Sequence, residues 1–352
     1  MTKKIVRIKD IASKSGVSTG TVDRVLHNRG RVSEEAKKKV LEVIEELGYE
    51  PNLLARALGN NKLFSIAALI PDYHVDSYWK APSDGILYAE KELRGYGITV
   101  EQFLFDPYDV DSFEKKAKAI QKANFDGVLL SPIFYKEVLP FLENLQQNKI
   151  PFIFFNTQIA DFGPLSYIGQ DSHQSGLVAA RLIHNSISKG TVVIAHIDET
   201  ISNAAHLNEK EKGFRSYFQH KKTNIKLISA ELNRAVESGF FEQLDSLFAN
   251  HKEITAFYVT TSKAYHIAKY LELRNIQGVK IVGYDLLTQN IGYLNADKIS
   301  YLINQNPYGQ GYFAVSYLTD YLVFKKKVPA IKYLPLDIVI KENCEYYLEQ
   351  NH

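Results

Sequence analysis

A chain of 352 residues is too long for one ordinary core, and domains of roughly 100–200 residues point to two or three units. Hydrophobic residues make up 45% and charged residues 23%, a globular balance that excludes long disorder, and the lone cysteine, Cys344, excludes an internal disulfide and a cysteine zinc cluster. Net charge is only +2, but residues 1–62 hold 13 Lys and Arg against 8 Asp and Glu (+5), while the remainder holds 29 against 32 (−3). A basic module facing a polyanion, ahead of a mildly acidic body, would show this asymmetry, and so would a solvated basic terminus.

The first residues, MTKKIVRIKD, carry charge but no apolar core of the kind a secretion signal needs, and no run of about 18 apolar residues follows. A protein of the reducing cytoplasm with no membrane partner is expected. Ile8, Ile11 and Ala12 recur at helical spacing, which predicts a short helix over 8–15. Gly16 supplies a tight turn, Ser18 a helix N-cap, and Val17 can pack on Val22 as a hydrophobic staple. The second helix starts at Thr19 and buries Val22, Val25 and Leu26, leaving Gly20, Asp23, Arg24 and His27 on the opposite face. Ser33 caps a third helix whose first turn holds Glu34 and Glu35, where the helix dipole favours anions. Its predicted stripe is Val40, Leu41, Ile44 and Leu47, and Gly48 ends it. Between Pro51 and Gly59 only about two turns of helix fit, a length that is marginal unless packed on something.

From Leu63 the pattern becomes short apolar runs alternating with amphipathic helices. Strands are predicted at 64–70, 98–105, 127–130, 152–155, 191–197, 256–259, 280–284 and 299–303. Helices are predicted near 83–94, 112–122, 136–147, 173–187, 206–219, 240–249, 263–274 and 308–324. Such alternation means mostly parallel sheets with helices on both faces, and about 290 residues fit two α/β lobes better than one sheet. The boundary is expected near Pro164–Ile168.

Two short braced helices with small polar side chains at the start of the second are what major-groove reading requires. Residues 7–62 resemble the DNA-binding headpiece of the lactose-repressor (LacI/GalR) family of bacterial transcription regulators. The residues that carry the likeness are Ile11-Ala12, Gly16-Val17-Ser18, Thr21-Val22, Arg24-Val25-Leu26, Val32-Ser33, and Gly48-Tyr49-x-Pro51-Asn52-x-x-Ala55-Arg56-x-Leu58. The resemblance implies an all-α helix–turn–helix headpiece (1–50), a hinge helix and linker (51–62), and a two-lobed, periplasmic-binding-protein-like (type I) α/β core with parallel sheets (63–352), which binds effector and dimerises. It divides the core into an N-lobe of about 63–166 plus 305–328 and a C-lobe of about 167–304 plus 329–352. It places Thr19, Gly20 and Arg24 where the family reads base edges, Ser18 and Thr21 near phosphates, and Asn52, Ala55 and Leu58 on the hinge, with Leu58 as a minor-groove wedge. An apolar wedge unstacks a base step at a cost of a few kcal/mol, offset by the contacts that the bend brings in. Two residues depart from the family: Gly20 has no side chain where a base-reading one is common, and Asp23 replaces a small residue beside the phosphates. Arg24, which can pair bidentately with guanine, is the foremost specificity candidate.

In open parallel sheets ligands bind beyond the carboxyl ends of the strands. Those ends give Asp106, Ser131, Asn156, Asp198, Thr261, Asp285 and Gln305, a set suited to hydrogen-bonding hydroxyls. The resemblance adds the pair Tyr78-Trp79 as a stacking surface for a sugar ring, together with Asp171. It also exposes a departure, because the family's Arg-x-x-Gly-Phe appears as Lys210-Glu211-Lys212-Gly213-Phe214, and lysine lacks the bidentate fork. A polyol or unusual saccharide is then as plausible as a simple hexose.

His173, His184, His196 and His206 lie near Asp171 and Asp198 but match no known metal-ligand spacing, and no phosphate-cradling loop is present. Neither enzymatic activity nor a cofactor or metal is expected. The reading is a sequence-specific repressor of pseudo-palindromic double-stranded DNA, working as a homodimer or higher oligomer and controlled by a saccharide or polyol effector. Its rivals are a solute-binding or sensor protein without DNA activity, and a regulator that takes a corepressor such as a nucleobase.

Overall fold

The computed structural model describes residues 8–26, 30, 32–47, 63–159, 162–198, 204–219, 221–234, 237–251 and 253–349. The chain divides into two compact units, Met1–Asn60 and Asn61–His352.

The first unit contains α1 (Ile8–Ser15), α2 (Thr19–Leu26) and α3 (Glu34–Leu47). Gly16 adopts φ +68, the left-handed conformation that lets α1 turn into α2 within three residues. The Ser18 hydroxyl accepts from the Thr21 amide at 3.1 Å, and Ser33 caps α3 by accepting from the Ala36 amide at 3.3 Å. Ile11, Ala12, Val22, Val40 and Val43 are buried against one another, with Val17, Val25, Leu26, Ile44 and Leu47 around them. The stripe of α3 differs from expectation at one position, because Val43 is buried while Leu41 is 50% exposed. One residue beyond Val40 a helix has turned 100° away, whereas the third and fourth residues return to the same face. The predicted hinge helix, with Asn52, Ala55 and Leu58, lies outside the described residues.

The second unit has two sheets. The first runs in the order β11-β5-β4-β3-β1-β2 and is parallel throughout: β1 (Phe64–Pro71), β2 (Ile98–Phe105), β3 (Gly127–Leu130), β4 (Phe152–Phe155), β5 (Ser166–Gly169) and β11 (Ile331–Tyr333). The second runs β12-β10-β9-β8-β6-β7: β6 (Lys189–Ile197), β7 (Asn224–Leu232), β8 (Ile254–Val259), β9 (Lys280–Tyr284), β10 (Tyr301–Asn304) and β12 (Asp337–Val339). Only β12 is antiparallel to its neighbour there. Helices α4 (Lys80–Leu93), α5 (Val110–Lys122), α6 (Leu139–Gln147) and α12 (Pro307–Leu322) belong to the first lobe. The second has α7 (Ser172–Ser186), α8 (Ala205–Gln219), α9 (Glu237–Asn250), α10 (Ala264–Leu273), α11 (Thr288–Asn295) and α13 (Cys344–Glu349).

Every expected strand and helix of this unit is present, with ends moved by a few residues. The sequence reading omitted β5, β7, β11, β12, α11 and α13. Three of these strands have only three or four residues, and β7 is a half-exposed edge strand. The pairing of β5 with β4 and of β11 with β5 places residues 166–169 and 331–333 in the first lobe, so the crossings fall slightly later than expected. They lie at 170–171, 305–306 and 334–336.

Buried faces explain the layers. Strand β6 is buried at all but its first position, as expected of a central parallel strand covered on both sides. Val193, Ala195 and Ile197 pack toward Phe240 and Leu244 of α9, while Val192 and Ile194 pack toward Phe214 of α8. Each lobe also contains a helix crossing closed by glycines. A Cβ on Gly176 or Gly213 would stand 2.0 or 1.9 Å from a carbonyl oxygen of the facing helix, at Lys210 and His173, so α7 and α8 meet backbone to backbone. Gly85 and Gly311 do the same for α4 and α12, each 2.1 Å from a carbonyl oxygen.

Candidate functional site

Between the two sheets, at the carboxyl ends of their strands, lies a cavity of about 620 Å³. Three strand-end residues that line it, Asn156 after β4, Asp198 after β6 and Asp285 after β9, have left-handed backbones with φ of 65, 62 and 64. Asn and Asp tolerate this conformation better than other side chains, and such strain gathers at sites. Of the residues expected from the sequence, these three and Tyr78, Trp79, Thr261 and Gln305 line the cavity.

Three expected residues do not line it. Asp106 turns back to accept the Tyr108 amide at 2.8 Å, so it fixes the loop that carries Tyr108 to the cavity. Ser131 is buried, and the loop after β3 contributes Ile133 and Phe134 to the lining instead. Asp171 caps α7, accepting from the Gln174 amide at 2.9 Å.

The lining also includes Asp76, Tyr108, Gln170, His206, Lys210, Asn233, Arg234 and Lys263, which strand-end reading missed. Lys210 is the lysine noted above for its missing fork. Arg234 follows β7, and an unrecognised strand has no end to inspect. Lys263 precedes α10, four residues past β8, and Asp76 lies in the long β1–α4 loop.

Two polar sets divide the cavity. In the deeper one Asp285, 1% exposed, accepts from Gln305 Nε2 at 2.6 Å. Burial pushes its carboxyl up to about 7, against the pull of the Lys210 charge and the Gln305 hydrogen bonds. Lys210, 2% exposed, donates to the Thr260 carbonyl at 2.9 Å and lies 3.7 Å from the Tyr284 ring centroid, a desolvated cation–π contact. Behind it the Tyr284 hydroxyl contacts those of Ser175 at 2.6 Å and Tyr258 at 2.8 Å. His206 is held neutral, pushed down to about 3 by burial and then by the Lys210 charge.

In the second set Arg234 grips Asp198 with Nε at 2.6 Å and its backbone amide at 2.9 Å. Another guanidinium nitrogen donates to His266 Nε2 at 2.8 Å. Burial and the Arg234 charge push His266 down to about 4, so that nitrogen accepts. Lys263 Nζ lies 3.4 Å from Asp76 and 3.6 Å from Asp198, joining the lobes across the cavity. Tyr108 donates to Asp76 at 3.3 Å.

Two buried atoms of the lining, Thr261 Oγ1 and Gln170 Oε1, have no hydrogen-bond partner. Buried polar atoms are nearly always paired, so the cavity is built for something that hydrogen-bonds. Trp79 meets Tyr78 and Phe155 edge-on at 5.0 and 6.4 Å, and Tyr78 accepts from Asn156 Nδ2 at 2.6 Å. Among the described residues no group of three or more His, Cys, Asp or Glu could hold a metal ion, and no helix is long and apolar enough to cross a membrane.

On the first unit Ser18, Thr19, Gly20 and Arg24 are exposed and Thr21 is half-buried. They therefore form a largely solvent-facing row at the start and along the outer face of α2. Fold and site together define a two-lobed binding core of the periplasmic-binding-protein class, carried by a chain that begins with a helix–turn–helix.

Comparison with known proteins agrees. Residues 66–326 match the periplasmic binding protein domain, and residues 7–52 match the bacterial regulatory proteins of the lacI family. A ribose operon repressor from Halalkalibacterium halodurans is 26% identical over 346 residues, covering 96% of this chain and 97% of its own. Catabolite control protein A from Priestia megaterium is 24% identical, covering 97% and 99%. A crystal structure described as a LacI transcriptional regulator from Bacteroides fragilis superposes with a TM-score of 0.74 at 31% identity, covering 81% of this chain and all of its own. The chain belongs to the lacI family of bacterial transcriptional regulators, with a periplasmic-binding-protein-like core.

Proposed function

We propose that the protein is a sequence-specific DNA-binding repressor, acting as a homodimer, that is released or engaged by a saccharide or polyol held between its lobes. The observation that carries the effector reading is the cavity lining: buried carboxylate, amide and hydroxyl groups, two of them unpaired, beside aromatic rings. Polyhydroxylated ligands offer donors and acceptors on every carbon and an apolar ring face, which this lining complements. Relatives named for a ribose operon and for catabolite control support the same reading. Two headpieces are required because one short helix offers too few contacts for the ~10⁻⁸–10⁻¹¹ M affinities of specific sites. Effector and DNA affinities are then reciprocally coupled.

A gel-shift on the DNA upstream of the protein's own gene, with and without a sugar and polyol panel, tests this. A shift altered by one of them is expected; no shift, or a response to nucleobases alone, overturns it. Arg24→Ala should cost about 1–3 kcal/mol of discrimination at one base pair while leaving effector titrations unchanged. Unaltered sequence preference would remove Arg24 as a base reader.

A further inference from the structure

We infer that Arg234 is the specificity-determining residue of the cavity: it supplies the forked donor that Lys210 cannot, gripping two neighbouring oxygens of the saccharide, and His266 is its positioning residue. This rests on the saccharide reading above and deepens it. Lys210 is 2% exposed; its Nζ donates to the Thr260 carbonyl at 2.9 Å and lies 3.5 Å from Gln305 Oε1 and 3.7 Å from the Tyr284 ring centroid. An ammonium so surrounded acts as a buried point charge, without a planar fork. Among the described residues Arg234 is the one arginine that lines the cavity, and 27% of its side chain is exposed.

Three elements of the second lobe fix this guanidinium. Asp198, at the end of β6, accepts the Arg234 amide on Oδ1 at 2.9 Å and holds Nε at 2.6 Å and Nη2 at 2.5 Å on Oδ2. Gln243 of α9 exchanges two hydrogen bonds with the backbone of Asn233, both at 3.1 Å, which pins the turn after β7. Nη1 donates at 2.8 Å to Nε2 of His266 on α10, whose ring meets that of the buried Phe240 edge-on at 5.9 Å. A guanidinium carries five N–H groups in one plane, so these partners leave an N–H on each terminal nitrogen. Two donors in one plane match two oxygens held side by side, as on neighbouring carbons of a sugar. Asp198, also in the lining, can accept the protons of the same hydroxyls. Because every partner of Arg234 stands on the second lobe, the grip keeps its shape however far the lobes close.

Calorimetric titration of the full-length chain with ribose, arabinose, glucose, galactose, mannose, maltose, sucrose and myo-inositol selects the tightest probe, and monodeoxy analogues of that probe locate the gripped oxygens. Removing either of two neighbouring hydroxyls should weaken binding about tenfold or more in the unaltered chain. In Arg234→Lys, which keeps the charge and loses the fork, the same removals should cost less than about threefold, while deoxy positions elsewhere cost the same in both chains. His266→Leu should weaken the parent probe about tenfold, His266→Gln, which retains an acceptor, should recover most of that loss, and His266→Leu should add nothing once residue 234 is lysine. If Arg234→Lys keeps the deoxy pattern of the unaltered chain, the Arg234 inference fails while the saccharide reading stands. If His266→Gln loses as much as His266→Leu, the positioning role fails. If none of these sugars binds, the saccharide reading and this inference fall together.

Discussion

The first lobe brings rings to the cavity and the second brings charge: Trp79, Tyr108 and Phe134 stand on loops after β1, β2 and β3, whereas Asp198, Lys210, Arg234, Lys263 and Asp285 all stand on the second lobe. Asp76 is the exception, and it is the carboxylate that reaches across to Lys263. Because Asp198–Arg234 and Asp285–Lys210 each lie within one lobe, their spacing does not depend on how far the lobes close. Orientation of a ligand can then be set by the second lobe alone, while the first lobe encloses it and excludes water.

The widest test of this asymmetry is Asp285→Asn. Removing one charge of a buried, hydrogen-bonded group costs about 2–5 kcal/mol, much of it from the partner left behind, here Lys210. At 1.4 kcal/mol per tenfold, ligand affinity should fall ~30-fold or more by calorimetry; a smaller loss would mean that charge does not orient the ligand. Next come the glycine crossings. Gly213→Ala and Gly311→Ala both force a methyl group against a facing carbonyl and should each destabilise the chain by about 1–3 kcal/mol in denaturant melts. Only Gly213→Ala should also alter ligand affinity, since Lys210 lies one turn earlier on the same helix, and equal effects on binding would erase the distinction between lobes.

A pH titration probes the same carboxyl. With the Asp285 pKa near 7, the folded chain holds a proton that the unfolded chain has released, so this group lowers stability as pH rises from about 4 to 7. Ligand hydroxyls that donate to it need the ionised form. Affinity should therefore weaken about tenfold one unit below pH 7 and level off above it. Asp285→Asn should flatten the profile; His206 and His266, depressed to about 3 and 4, contribute nothing in that range. The smallest effect belongs to the first lobe. Tyr78→Phe deprives Asn156 Nδ2 of its acceptor and should cost about 1 kcal/mol of affinity.

Periodicity made the helices of the first unit legible, since their stripes need only local spacing. It failed at Leu41 and Val43, where neighbouring apolar residues compete for one face and only the packed partner decides. In the core, strand-end reading located Asn156, Asp198, Thr261, Asp285 and Gln305, because a parallel sheet delivers its ends to one place. The same rule misled at Ser131 and Asp106, which sit beside the cavity wall or fold back on their own loop. Half the charge was invisible, since Arg234 follows an edge strand whose polar, half-exposed residues look like loop, and Asp76 and Lys263 meet only in three dimensions.

The chain passes between the lobes at three places, and two of those joints carry cavity-lining amides: Gln170, whose Oε1 is unpaired, and Gln305, bonded to Asp285. Each lobe is stiffened by helices clasped at glycine contacts, so relative motion must be taken up in these few torsions, including that of Asn306 at φ 50. A ligand that hydrogen-bonds both amides would therefore hold the chain at two of its three crossings between the lobes.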